Sequence, residues 1–222
     1  MPEINNTAED TPKGENKATS EQDRTTTYTP LTEEQIQAAH VGQHVPLNGP
    51  IQIVDYDPEW PRLFEREAER VQATLDDRVL LLEHVGSTSV PGLAAKPLID
   101  MLLVVANSAE ESAYVPDLEA AGYVLRIREP DWHEHRLFKG PDTAINLHVY
   151  SQGDSEIDRV LLFRNWLRSH PSDRLLYERT KWELARQNWK YTQNYADAKT
   201  AVVEEILARA REDAGKERRE DD

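Results

Sequence analysis

The residues best suited to chemistry sit in one stretch, Val79 to Val105. Gly86, Ser87, Thr88 and Ser89 open a loop of small polar side chains, Lys96 stands near its far end, and Asp100 lies inside the apolar run that follows. Glycine lets a backbone approach a ligand closely, and the hydroxyls and N–H groups of Ser and Thr suit phosphate oxygens. A carboxylate inside an apolar run is costly unless it is paired or holds a cation. Mg²⁺ takes carboxylate oxygens, waters and substrate phosphates, so a phosphate loop beside Asp100 is a workable metal–nucleotide arrangement. Each feature has a plainer counterpart. The hydroxyls satisfy only the backbone, or Asp100 pairs with Lys96 or an arginine. The loop is neither a Walker A sequence nor a dinucleotide fingerprint, and no G-x-S-x-G elbow supports serine hydrolysis.

Other candidates are scattered. His148 shares the polar side of an alternating segment with Asn146 and Tyr150, and is either a ligand, a general base or simply hydrogen-bonded. His84, His133 and His135 fit no zinc spacing. Arg126, Arg128 and Arg136 form a local basic group. Arg164 stands between apolar neighbours. Lys199, four residues after Tyr195 and three before Val202, falls on the apolar stripe of a helix, where it snorkels or reaches an anion.

Elements that position these residues follow from periodicity. Val79–Leu82 and Leu98–Val105 are short apolar runs bounded by Gly and Pro, which suits buried strands. Leu98, Asp100, Leu102 and Val104 then share one face. Thr32 with Gln35 makes a capping box for a helix to about His40, and Ile51 to Val54 suggests a short strand. Asp57-Pro58 starts a helix to about Asp76. Ser108 with Glu111 makes a second capping box for a helix ending at Gly122. Strands follow at Tyr123–Arg128, His135–Lys139 and Ala144–Tyr150, the last two joined by a Gly140-Pro141-Asp142-Thr143 turn. Three helices complete the pattern, from Asp158, from Pro171 to about Asn188, and from near Asn194. The expected fold is α/β (α+β), one mixed β-sheet with flanking helices and a C-terminal helical layer. Residues 1–30 read as a disordered tail, 31–210 as the domain, and 211–222 as a charged, solvated tail.

Composition narrows the partners. The chain has 222 residues, no Cys, 41 acidic against 26 basic side chains and a net charge of -15. Thiolate metal sites and disulfides are excluded, and general binding to nucleic acid or an anionic membrane is disfavoured. No apolar run approaches the roughly 18 residues of a membrane span, and the polar N-terminus lacks a signal core, so a cytoplasmic location is expected.

Several separated blocks resemble the GrpB family: Tyr56 to Trp60, Glu83 to Asp100, Asn146 to Tyr150, Leu162 to Arg168, His170-Pro171 and Tyr195 to Lys199. The resemblance implies the nucleotidyltransferase fold of the DNA polymerase β type. In that superfamily a Gly-Ser pair follows one strand, two carboxylates one residue apart lie on the next, and a third lies on a later strand, together holding Mg²⁺. Gly86-Ser87 matches the pair and Asp100 the first carboxylate; Leu102 stands at the second position, and the later strand offers His148. Some relatives are fused to dephospho-coenzyme A kinase, which implies a nucleotide-linked context. Two functions follow from the resemblance. One is nucleotidyl transfer, with Gly86, Ser87, Thr88, Ser89, Lys96, Arg136, Arg164 and Lys199 holding a nucleotide or phosphorylated ligand, and with Asp100 and His148 as catalytic and Mg²⁺-holding residues. The other is a non-catalytic nucleotide-binding or accessory module. A third reading places different chemistry on the His148 face.

Overall fold

A computed structural model describes residues 31–42 and 47–220. The tail expected over residues 1–30 lies outside the described residues. The elements in chain order are α1 (Glu33–Ala39), α2 (Trp60–Leu75), β1 (Leu81–Val85), β2 (Ile99–Val105), α3 (Val115–Ala120), β3 (Val124–Glu129), β4 (His135–Lys139), β5 (Ile145–Ser151), α4 (Ser155–Ser169), α5 (Pro171–Ala185), α6 (Thr192–Ala198) and α7 (Thr200–Glu220). The result is a mixed α/β structure around a five-stranded sheet of order β1-β2-β5-β4-β3. The β2–β5 pair is parallel, and the others are antiparallel.

Register divides the strand residues between two faces. Side chains alternate along a strand, so directly paired residues share a face. On the first face Ile99, Met101, Leu103, Ile145, Leu147, Val149 and Phe138 bury themselves against α2 and α3. On the second face Val85, Leu102, Val104 and Tyr150 pack on Ile157, Val160 and Leu161 of α4. Asp100 and its partner Asn146 lie on this second face, at the end where β2 and β5 begin. α4 is fixed there by Asp154, whose carboxylate caps the Glu156 N–H at 2.8 Å.

The loop between β1 and β2 has two anchors. Val90 and Leu93 sink into the helical layer with Leu167, Tyr177, Val202 and Ile206. Ala94 joins Ile51, Ile53, Ala185 and Tyr195. The apolar second half of the loop therefore pins its polar first half against Asp100.

Several elements differ from the sequence expectations. Ile51 and Ile53 are buried, but the strand there shrinks to one bridge, Val54 with Ala95. α2 begins at Trp60 rather than Asp57, because Asp57 uses its carboxylate on the Glu59 N–H at 2.9 Å, one turn before the helix proper. The Ser108 capping box does not form: its hydroxyl donates to the Glu134 carbonyl at 2.9 Å, and a 3₁₀ turn at Glu111–Ala113 precedes α3. The last helix is two, broken at Lys199, which caps α6. The charged run from Arg211 continues α7 to Glu220 rather than leaving it.

Candidate functional site

Gly86 and Asp100 are built against each other. Gly86 has φ 68°, a conformation glycine adopts without steric cost. A Cβ on it would stand 2.5 Å from Asp100 Oδ2, so no other residue fits beside that carboxylate. The next hydroxyls are spent internally. Thr88 Oγ1 donates to the Leu98 carbonyl at 3.2 Å and contacts His84 Nε2 at 3.0 Å; Ser89 Oγ donates to the Gly86 carbonyl at 2.6 Å. Thr88 and Ser89 thus shape the loop. The Ser87 hydroxyl has no partner among the described residues. His84 stacks on Phe64 at 4.9 Å, and burial pushes its imidazole down to about 4, so it stays neutral.

Asp100 accepts from the Asn146 amide at 2.7 Å, and His148 Nε2 stands 3.6 Å from the same Oδ1, an ion-pair distance longer than a hydrogen bond. Burial pushes the Asp100 carboxyl up, but His148, Asn146 and the charge of Lys199 outweigh it and hold the acid below the ordinary carboxylate value. Two donors each about 2.1 Å from a shared ion stand roughly 3.0–3.4 Å apart, so Asp100 and His148 need to close by only a few tenths of an ångström to hold one. Among the described residues no three acidic or histidine side chains gather around one point, so waters and ligand oxygens would have to supply the other ligands.

Behind His148 lies a residue that spacing alone left unassigned. His135, buried on β4, places Nε2 3.0 Å from His148 Nδ1 and Nδ1 2.7 Å from Glu129 Oε2. Burial drives its imidazole down to about 4 despite the pull of Glu129. Exposed Trp132 meets His135 edge-on at 5.5 Å, from a loop in which His133 and Glu134 both take positive φ. The signal was the β4–β5 hairpin, whose register sets Leu137 opposite His148 and so brings His135 diagonally within reach.

Cations surround the carboxylate without pairing. Lys96, Lys139 and Lys199 all act electrostatically on Asp100 or respond to it, yet none stands in an ion pair among the described residues. Burial pushes the Lys96 ammonium down and Lys199 adds to this, against the pull of Asp100. Desolvation and Lys96 push Lys139 down in the same way. Lys139 also donates to the Asn146 oxygen, completing a chain to Asp100. Lys199 Nζ lies 4.8 Å over the Tyr195 ring at the α6–α7 break.

Two expected residues go elsewhere. Arg136 pairs with Val149 across the strands and so faces the opposite side of the sheet, where it donates to Glu111 at 2.5 Å. Arg128 donates to the same acid at 2.6 Å, so two of the three arginines in the basic group are tied to Glu111. Arg164 faces the right side but is bound to Glu83 at 2.6 Å and to the His84 carbonyl at 2.9 Å. Leu102 is 1% exposed within the α4 cluster.

The profile described as GrpB protein matches residues 50–209. The chain belongs to the GrpB family. It is 60% identical to a UPF0157 protein of Halalkalibacterium halodurans over 82% of this chain and 93% of that one. A dephospho-CoA kinase of Mycolicibacterium paratuberculosis is 30% identical over 58% of this chain and 38% of its own length. The crystal structure of conserved protein GrpB from Enterococcus faecalis aligns with TM-score 0.64 at 34% identity, covering 72% of this chain and 96% of that one. The loop, Asp100, His148 and Lys199 all fall inside the GrpB match. Among the described residues, no helix is long and apolar enough to cross a membrane.

Proposed function

We propose that the site at Asp100 binds a nucleotide or another phosphorylated small molecule together with one divalent cation. The observation that carries this reading is the charge arrangement. In a chain of net charge -15, Lys96, Lys139 and Lys199 converge on one carboxylate without ion-pair partners. Three cations around one carboxylate leave room for a further anion, and phosphate is the anion that the adjoining Ser87 hydroxyl and a metal-competent carboxylate suit. The printed kinase name of a distant relative points to the same nucleotide-linked chemistry.

Within that reading the site serves nucleotidyl transfer with a single cation held by Asp100 and His148. A bound Mg²⁺ or similar ion would neutralise phosphate charge. Lys96, Lys139 and Lys199 would orient the phosphates, and the loop would exclude water. A second reading, a non-catalytic binding module, is favoured by Leu102. Its side chain is sealed under α4 where a second carboxylate would stand, and two-metal chemistry needs more anionic ligands than one aspartate supplies.

Equilibrium binding of nucleoside triphosphates with and without Mg²⁺ tests the reading. Asp100→Asn is expected to weaken the Mg²⁺-dependent part of the affinity by about 10-fold or more. Affinity unchanged by Asp100→Asn would remove the cation from the account. Product formation from a triphosphate and an acceptor, lost in Asp100→Ala, would decide against the module.

A further inference from the structure

The buried chain behind His148 fixes which of its nitrogens carries the hydrogen. The Glu129 carboxylate only accepts, so His135 Nδ1, 2.7 Å from it, donates. A neutral imidazole has one N–H, and at 4% exposure neutral is the form burial favours. His135 Nε2 therefore offers a lone pair, and His148 Nδ1, 3.0 Å away, donates to it. That turns His148 Nε2 toward Asp100 Oδ1 at 3.6 Å. The ring nitrogen and the carboxylate oxygen face each other across a gap that a positive charge bridges, either a proton or a metal ion. The remaining oxygen of the carboxylate lies over Gly86, and Asn146 holds the shared one at 2.7 Å. Tyr150 stacks on His135 at 4.9 Å and keeps the chain from tilting.

We propose that Glu129 and His135 are positioning residues that present His148 Nε2, with Asp100, as a nitrogen–oxygen pair selecting a first-row transition ion such as Mn²⁺, Co²⁺ or Zn²⁺ over Mg²⁺. Imidazole suits these ions, whereas Mg²⁺ sites are built from oxygen. Metal-bound histidines are oriented by an acceptor on their second nitrogen, which is the place His135 takes. With two protein ligands and three nearby ammonium groups, the ion is held weakly alone and more tightly when a phosphate oxygen joins. The inference rests on the proposed cation at Asp100 and goes beyond it in naming the class of ion and the residues that choose it.

The test uses the full chain. Free Mn²⁺ is followed by electron paramagnetic resonance during titration, with and without inorganic phosphate, and Mg²⁺ and Zn²⁺ are measured by competition. Mn²⁺ and Zn²⁺ are expected to bind at least about 10-fold tighter than Mg²⁺. His135→Phe, which keeps the ring packing but removes the acceptor, is expected to weaken Mn²⁺ by about 10–100-fold. Glu129→Gln, which keeps an acceptor but loses charge, should cause a smaller loss. Long-range ¹H–¹⁵N spectra of the metal-free chain should show His148 protonated at Nδ1, and His135→Phe should shift that resonance. Mg²⁺ binding as tightly as Mn²⁺, or Mn²⁺ affinity unmoved by His135→Phe, overturns the inference while leaving a cation at Asp100 in place. No binding of any divalent ion, with or without phosphate, overturns both.

Discussion

Two carboxylates sit inside this molecule in opposite circumstances. Glu67, on α2, is 0% exposed, yet it accepts three hydrogen bonds shared between both oxygens. Thr143 donates to it at 2.6 Å, Tyr123 at 3.1 Å and Arg70 at 3.2 Å, with Arg66 at 3.7 Å. Asp100 receives one amide hydrogen and a histidine beyond hydrogen-bond reach, among lysines that stand in no ion pair among the described residues. A buried acid kept for stability closes its network, because an unmatched one costs several kcal/mol. In the proposed function, an acid left with unused capacity, against a glycine that gives it room, waits for a ligand from solution.

The contrast predicts opposite stability responses. Glu67→Ala strands the Tyr123 and Thr143 hydroxyls in a buried gap, while Arg70 keeps its pairing with Asp142, and a loss of about 3–5 kcal/mol is expected in urea unfolding. Asp100→Asn keeps the Asn146 contact available and gives up only the attraction of a partly exposed carboxylate to nearby cations, so a change within about 1 kcal/mol is expected. Equal losses at the two sites would make Asp100 a structural acid, and its open surroundings would then mean nothing.

How far the sequence disclosed this contrast depends on distance along the chain. The β4–β5 hairpin was legible because alternation and a Gly-Pro turn are local signals, and the loop–Asp100 pairing because both lie in one short stretch. Glu67 sits in Glu-Arg-Glu-Ala-Glu-Arg, which reads as a solvated helix surface, and only the arrival of Thr143 and Tyr123 from elsewhere buries it. Ser108 looked like a helix cap, but its hydroxyl is claimed by Glu134 and Ser151, far beyond any local pattern. Arg136 looked like a phosphate ligand because strand parity gives a face only relative to neighbours. Register with Val149 places it opposite to Asp100.

A smaller effect probes the room beside Asp100. Gly86→Ala must accept φ 68° and a Cβ at 2.5 Å from the carboxylate, a cost of about 1–3 kcal/mol. In an Asp100→Ala background the oxygen is gone, leaving the backbone strain and a milder 3.0 Å contact with the Cβ of residue 100. The double-mutant cycle should therefore show the second substitution costing less than the first. Additive losses would mean that the glycine serves the turn alone and not the carboxylate.

The smallest effect concerns the helix that holds the loop in place. On α5, Glu178 accepts from the Ala94 N–H at 3.2 Å and Lys181 donates to the Ala94 carbonyl, so one residue of the loop is gripped at both ends. Lys181 is 2% exposed, and burial pushes its ammonium down to about 7, with Lys199 adding to the effect. The unfolded chain keeps that proton to about 10.4. Above pH 7 the unfolded state therefore binds more protons than the folded one, and stability rises with pH. Melting temperature should climb between pH 7 and 9, and Lys181→Met should flatten that climb, because the apolar side chain fills the same space with no proton to lose. Lys96 and Lys139 are displaced in the same direction and leave a residual slope. A Lys181→Met profile parallel to that of the parent chain would show that the buried amine keeps its proton in the folded chain through this range, as it does in the unfolded one. It would then grip Ala94 as a full ammonium rather than as a neutral amine.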